Sequence, residues 1–382
     1  MARFSVFALL AVPWLLLAGL VSGDAVSDLE KKGRPNIDAM LAKSKTCTKA
    51  NLKVRREWGD ISAAEKKSYI AALLCLMEKP SKLNPTQFPG AKTRYEDFVV
   101  VHMQQTMSIH NTGSFLSWHR YYLWAFEQAL VKECNYNGSH PYWDWGRWAQ
   151  DPEKSPIFDG SDTSLSGNGQ KINHRSSGIA PAGNGGGCVE TGPFKNMTIR
   201  LGPVSPAIDP APPRNPRSDG YGLNVRCLRR DISNYLTSRY ARTQDIAALI
   251  TNSRDVLTFQ NVMQGAGGGG FGGAGGGGIG VHAAGHFTIA GDPGGDFYTS
   301  PNDPAFWVHH GMIDRTWAIW QSQDTNTRIQ TIAGGTSMMS FGGGGRQQSL
   351  DDNIDLGIVG DKVYKIRDLN SIVDGPFCYV YE

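Results

Sequence analysis

Between Phe115 and Lys132 the sequence FLSWHRYYLWAFEQALVK puts apolar and aromatic residues on nearly every side of a 3.6-residue repeat, which predicts a fully buried helix. The stretch SPNDPAFWVHHGMIDRTWAIW, from Ser300 to Trp320, has the same character. From Lys49 to Met77, Leu52, Trp58, Ile61, Tyr69, Leu73 and Leu76 fall near helical spacing, with Asp60 or Ser62 able to cap a second helix and Pro80 beyond its end. This predicts a helical hairpin. Another helix is expected over Tyr95 to Met107, and helical signal returns from Cys227 to Met263. Between Asp151 and Arg226, Gly, Pro, Ser and Asn dominate and the periodicity vanishes, which predicts a long loop region of the kind that walls an active site. The glycine tract Gly265 to Gly280 reads as a connector, because no Lys-Ser/Thr ending follows it. After Trp320, loops and short strands lead to FCYVYE, so the fold class is mainly α with few short strands.

Composition narrows the function. The chain has 382 residues, 40% apolar and 19% charged, enough for a large core, and its net charge of +3 with no long basic run argues against nucleic acid as a partner. A small molecule is the expected partner. Arg3, the apolar run Phe4 to Leu20, and the small residues at Val21, Ser22 and Gly23 read as a cleaved signal peptide over residues 1–23. Pro13 and the marginal length weigh against a membrane anchor, so residues 24–382 are expected to be a single secreted domain with no membrane association. The remaining six cysteines then imply three disulfides, with Cys47–Cys75 expected as a local bridge across the helical hairpin. Asn137-Gly138-Ser139 and Asn196-Met197-Thr198 are glycosylation sequons that fit the same route.

The candidate chemistry lies in the histidines. His102, His110 and His119 occupy one window and His282, His286, His309 and His310 another, while His140 and His174 stand apart in loops and are expected to face solvent. His282 and His286 are four residues apart, which on a helix sets them about 40° apart on one face. Two windows that each end in an aromatic helix imply two similar half-sites of three imidazoles. An all-nitrogen set suits copper or zinc, whereas magnesium and calcium demand carboxylates. His309 and His310 differ by about 100° around a helix, so only one can join a shared ligand set. His310 is favoured, because Asp314 lies one turn further on the same face and could hold imidazoles in the right tautomer. His309 is then packing or a supporting contact, and His119 could alternatively be a core histidine satisfied by Glu127.

With RREW at Arg55 to Trp58, FLSWHRYYLWAFE at Phe115 to Glu127, YWDW at Tyr142 to Trp145, HAAGH at His282 to His286, and NDPAFWVHHGMIDRTW at Asn302 to Trp317, the chain resembles the tyrosinase and catechol oxidase family of type-3 copper proteins, most like its short secreted fungal form. The resemblance implies an antiparallel four-helix bundle holding two copper ions, with dioxygen as co-substrate and a phenol as substrate. Copper A falls on His102, His110 and His119, and copper B on His282, His286 and His310. A bulky gate falls on Phe306 and a further pocket aromatic on Phe287.

Two departures matter, the first for how a ligand is held and the second for the expected activity. Relatives that carry a Cys two residues before the second copper A histidine form a thioether, and here that residue is Ser108. Good monophenol hydroxylases tend to carry Asn or Asp after the first copper B histidine, where this chain has Ala283. The expectation is therefore oxidation of o-diphenols, with o-aminophenols also in range, to o-quinones and weak monophenol hydroxylation. Full monophenolase activity is the alternative. A carboxy-terminal blocking domain is expected to be absent. A hemocyanin-like carrier would use the same centre without turnover, and a zinc hydrolase would need a carboxylate base that HAAGH lacks.

Overall fold

Asp24 accepts hydrogen bonds from the backbone N–H groups of Val26 and Ser27 and so caps the first helix, α1 (Ala25–Leu41). The computed structural model describes residues 24–382 apart from 176–177, 266–277 and 339–344. The expected signal segment and most of the glycine tract lie outside the described residues. Strand β1 (Lys53–Arg55) and a short 3₁₀ turn precede α2 (Ala63–Glu78), and α3 (Arg94–Ile109) follows. Ser62 with Glu65 and Thr93 with Glu96 form capping boxes that fix where α2 and α3 begin. Helix α4 (Phe115–Cys134) stops at Asn135, which adopts a left-handed conformation that Asn tolerates.

The long loop region carries two small antiparallel pairs, β2 (Gly169–Lys171) with β3 (Gly186–Val189), and β4 (Thr198–Ile199) with β5 (Arg226–Cys227). Helices α5 (Thr237–Tyr240), α6 (Thr243–Asn252), α7 (Val256–Gln264), α8 (Val281–Ile289), α9 (Ala305–Ser322) and α10 (Thr325–Arg328) come next. Strands β6 (Asn353–Ile354) and β7 (Tyr364–Lys365) pair with each other, and β8 (Tyr379–Tyr381) returns to lie parallel to β1. The architecture is mainly helical, with few short strands and long loops.

Every residue of α9 is buried, because α1, α4, α6 and α8 all pack against it. Gly33 allows α1 to approach: a Cβ there would lie 1.9 Å from Ser322 Oγ. Phe126 of α4 stacks on Trp307 of α9 with planes 5° from parallel. Charged side chains at the centre of this core are paired. Asp314 accepts from Arg120 Nε at 2.6 Å and from the hydroxyls of Tyr379 and Tyr381, each at 2.6 Å, while Arg55 bridges Asp314 to Glu127. This network ties α4 and α9 to the β1–β8 pair.

Three expectations need correction. The first arm of the supposed hairpin is extended, because Lys53, Val54 and Arg55 pair with Tyr379, Val380 and Tyr381, a partner that local periodicity does not reveal. The same pairing sets Cys47 beside Cys378, while Cys75 on α2 faces Cys134 on α4. The bridges are therefore Cys47–Cys378, Cys75–Cys134 and Cys188–Cys227, and Cys47–Cys75 is not formed. His140 and His174 do not face solvent. His140 is fully buried, with Nε2 2.9 Å from the Trp307 carbonyl and its backbone N–H donated to Glu127, and the His174 side chain is sequestered against Asp231 at 2.7 Å.

No helix among the described residues is long and apolar enough to cross a membrane.

Candidate metal centre

Four helices bring seven histidines together. His102 lies on α3, His110 is the residue that ends it, and His119 lies on α4; His282 and His286 lie on α8, and His309 and His310 on α9. Contacts of α3 with α4 and of α8 with α9 assemble each set, and contact of α4 with α9 joins the sets. All seven rings are deeply sequestered, and only His286 keeps part of its surface toward the outside.

Backbone carbonyls set the tautomers of the first set. His102 Nδ1 is 2.8 Å from the Tyr298 carbonyl, His110 Nδ1 is 2.9 Å from that of Thr106, and His119 Nδ1 is 2.8 Å from that of Phe115. A carbonyl only accepts, so each Nδ1 carries the proton and each Nε2 keeps a lone pair. One nitrogen from each of the three rings lies within 4.8 Å of the others, and the Nε2 atoms of His102 and His119 are buried without any hydrogen-bond partner. Lone pairs gathered this way repel one another unless a cation lies among them. The residues fit a metal ion.

In the second set, His286 Nε2 lies 3.1 Å from both His282 Nε2 and His310 Nε2. Nitrogens so spaced subtend about 100° at an ion held at about 2 Å, a normal angle between imidazole ligands. His309 also belongs to this cluster by distance. Its Nδ1, however, accepts a hydrogen bond from the indole N–H of Trp145 at 3.0 Å.

Burial keeps these rings neutral. It pushes His102 down to about 3 and His110 to about 4, with the neighbouring ring adding to the effect on His102, and it holds His119, His282, His286 and His310 well below the ordinary histidine range. Neutral imidazole is the form that binds a metal. Neither cluster contains a carboxylate, a donor set for copper or zinc rather than a hard ion.

Asp314 and Glu127, expected as supports for the histidines, make their hydrogen bonds elsewhere. Asp314 is held by two arginines and two tyrosines, and Glu127 by Arg55 and the backbone of His140. Backbone carbonyls do the orienting in the first set instead. A narrow opening reaches His110, His282 and His286, lined by Phe287, Phe297, Gly294, Gly295 and Asp296. Phe306 and Ala283 do not line it. The Phe306 ring packs 4.2 Å from that of His310, with His102 and His286 within 6 Å, and Ala283 is buried on α8.

Three contributors escaped sequence reasoning: Trp145, Phe297 and Asp296. The Phe297 ring is 4.7 Å from His110, but it sits in the glycine-rich segment GDPGGDF, where no periodicity marks it. Asp296 lines the opening, yet its oxygens already accept from the backbone N–H groups of Val204, Ser205, Tyr298 and Thr299.

Residues 92–323 match the model of the common central domain of tyrosinase. The chain is 38% identical over 341 residues to Tyrosinase P of Aspergillus terreus, covering 86% of this chain and 91% of that one. It is 34% identical to the N-acetyl-6-hydroxytryptophan oxidase of Emericella nidulans, covering 91% and 96%. Among solved structures, a variant polyphenol oxidase from Thermothelomyces thermophila superimposes with a TM-score of 0.85 at 37% identity, covering 95% of this chain and 99% of that one. With two histidine clusters on four helices and a family match over more than half its length, the chain belongs to the tyrosinase family, copper-dependent oxidoreductases with a dinuclear copper centre and dioxygen as co-substrate.

Proposed function

We propose that this protein is a secreted phenol oxidase that converts o-diphenols, and o-aminophenols, to o-quinones or their imines, with little hydroxylation of monophenols. His102, His110 and His119 hold one copper ion, and His282, His286 and His310 hold the other. Helices α3, α4, α8 and α9 act as the bundle around the pair, and residues 24–382 form one catalytic domain. The observation that carries the reading is the convergence of buried imidazole nitrogens in two adjoining sets, with the tautomers of the first set fixed by backbone carbonyls.

When bound, the copper pair supplies the redox capacity that lets dioxygen accept electrons from a phenol. Two catechols each lose two electrons and two protons, and one dioxygen becomes two waters. The protein's own contribution is positional. Backbone carbonyls fix the tautomers of His102, His110 and His119, burial keeps competing protons off the rings, and Phe287 and Phe297 flank the approach to His110, His282 and His286. Among the described residues no cationic side chain lines the opening, and the one carboxylate there disfavours an anion, so small neutral phenols fit best.

Weak hydroxylation is proposed because a monophenol must lose its proton at the centre before oxygen is inserted. Ala283 has no polar atom to orient a water, and Asp296 has its oxygens engaged by four backbone donors. Secretion is supported by the amino-terminal apolar run and three disulfides.

Oxygen uptake on copper-loaded protein tests the reading. A catechol and an o-aminophenol should be consumed rapidly and the matching monophenol slowly with a long lag. Rapid monophenol turnover would instead favour full tyrosinase activity, and reversible oxygen binding without turnover would favour a carrier.

A further inference from the structure

His309 poses a problem that the six-ligand reading leaves open. It is adjacent to His310, one of its ring nitrogens lies within 4.8 Å of the nitrogens of the other three histidines in its cluster, and its ring centroid is 4.4 Å from that of His286. A fourth imidazole at that distance is a competitor for the metal. We propose that Trp145 is a positioning residue that keeps His309 out of the copper site by fixing its tautomer, so that His310 alone completes the ligand set on α9; this rests on the ligand assignment above.

The argument is a count of lone pairs. Indole N–H can only donate, so the 3.0 Å contact from Trp145 Nε1 makes His309 Nδ1 the acceptor. A neutral imidazole has a single in-plane lone pair, and this contact occupies it. The proton must then sit on Nε2, and a protonated nitrogen cannot bind a metal. That Nε2 is buried with no hydrogen-bond partner at ordinary distance, so the Trp145 contact is the one well-formed hydrogen bond on this ring among the described residues, with the His282 backbone nearby as a weaker influence.

The donor is held firmly. Trp145 is fully buried, its neighbour Trp143 donates its backbone N–H to the Val308 carbonyl at 3.0 Å, and Asp144 accepts from the backbone of Gly146 and Arg147. The His309 ring is also confined from below. A Cβ at Gly285 would lie 2.2 Å from its Cε1, so the glycine of HAAGH supplies the space in which this ring sits. Without the indole donor, the ring's single lone pair is no longer occupied, and His309 can act as a fourth donor in a site built for three.

The test uses full-length copper-loaded protein. In the cuprous, diamagnetic form labelled with ¹⁵N-histidine, the His309 signals, assigned by their loss in His309→Phe, should show a protonated Nε2 and an unprotonated Nδ1; a protonated Nδ1 overturns the proposal. Trp145→Phe should change the copper absorption spectrum and the rate of copper release to a chelator by at least threefold. In Trp145→Phe/His309→Phe both should return to the values of His309→Phe alone. A spectrum and release rate unchanged in Trp145→Phe, or a change that persists after His309 is removed, overturns it as well. A wild-type content below two copper ions per chain would instead break the ligand assignment, so the two failures are distinguishable.

Discussion

His119 and His310 stack ring on ring, with centroids 4.5 Å apart and planes 14° from parallel, although they come from opposite halves of the chain and from different histidine sets. On the proposed ligand assignment, each ring would be both a ligand to one ion and part of the wall of the other. Replacing His310 with Ala removes a nitrogen from one set and a packing surface from the second. Copper content should fall by at least one ion per chain, and catechol oxidation should drop by more than about 100-fold, a transition-state loss of roughly 3 kcal/mol. Elemental analysis beside oxygen uptake checks both. Replacing His309 should cost far less activity.

The buried carboxylate of Asp314 should matter to stability rather than to the metal. Burial alone would raise its pKa, but Arg120 and then Arg55 hold it below the ordinary carboxylate range, with the Tyr379 and Tyr381 hydroxyls assisting. Asp314→Asn leaves the buried Arg120 guanidinium without a carboxylate partner and Arg55 with Glu127 alone, a change that typically costs about 3–5 kcal/mol. Unfolding by denaturant should move accordingly, while any molecule that remains folded keeps its copper.

Glu57 gives a pH dependence of opposite sign. Its side chain is almost wholly buried, and burial raises its pKa to about 7, against the lowering effects of the Gly59 backbone N–H and Arg147. A carboxyl whose folded pKa lies above its unfolded one binds more protons when folded, so its stabilisation is complete below about pH 4.5 and is lost as pH rises through about 7. The loss is on the order of 3 kcal/mol. Melting curves collected across that window should show this fall in the native protein, and Glu57→Gln should flatten it. An unchanged slope in the variant would count against the assignment.

Phe297 should affect substrate affinity. Its ring is 4.7 Å from His110 at the opening, and aromatic contacts of this kind contribute about 0.5–1.5 kcal/mol. Phe297→Ala is expected to raise the KM for a neutral catechol about two- to tenfold, with little change in kcat or copper content. Phe297→Tyr should preserve KM. Steady-state kinetics on the two variants separates ring contact from general loosening.

Much of the fold was legible in the chain because its central helices carry strong signals. Aromatics surrounding His119 and His310 marked α4 and α9 without help from any partner segment. What failed was non-local. Helix α1 has Lys31, Lys32, Gly33, Arg34 and Pro35 in its middle, and its buried face has meaning only once α9 lies against it. Arg55 sat in a pattern that looked helical, but pairing with β8 decided its conformation. The histidine windows stood out for the same reason as the helices, since each is compact along the sequence. Trp145, Phe297 and Asp296 belong to loops, where position is set by contacts that no spacing rule encodes.

The bond between Cys47 and Cys378 closes almost the whole described chain into one covalent ring, and Cys188–Cys227 closes a smaller ring inside the loop region. A protease that cuts once anywhere between residues 47 and 378 cannot divide the molecule in two. Nicked and intact forms should migrate as a single species of the same mass on a non-reducing gel, and only a thiol reagent should release the fragments.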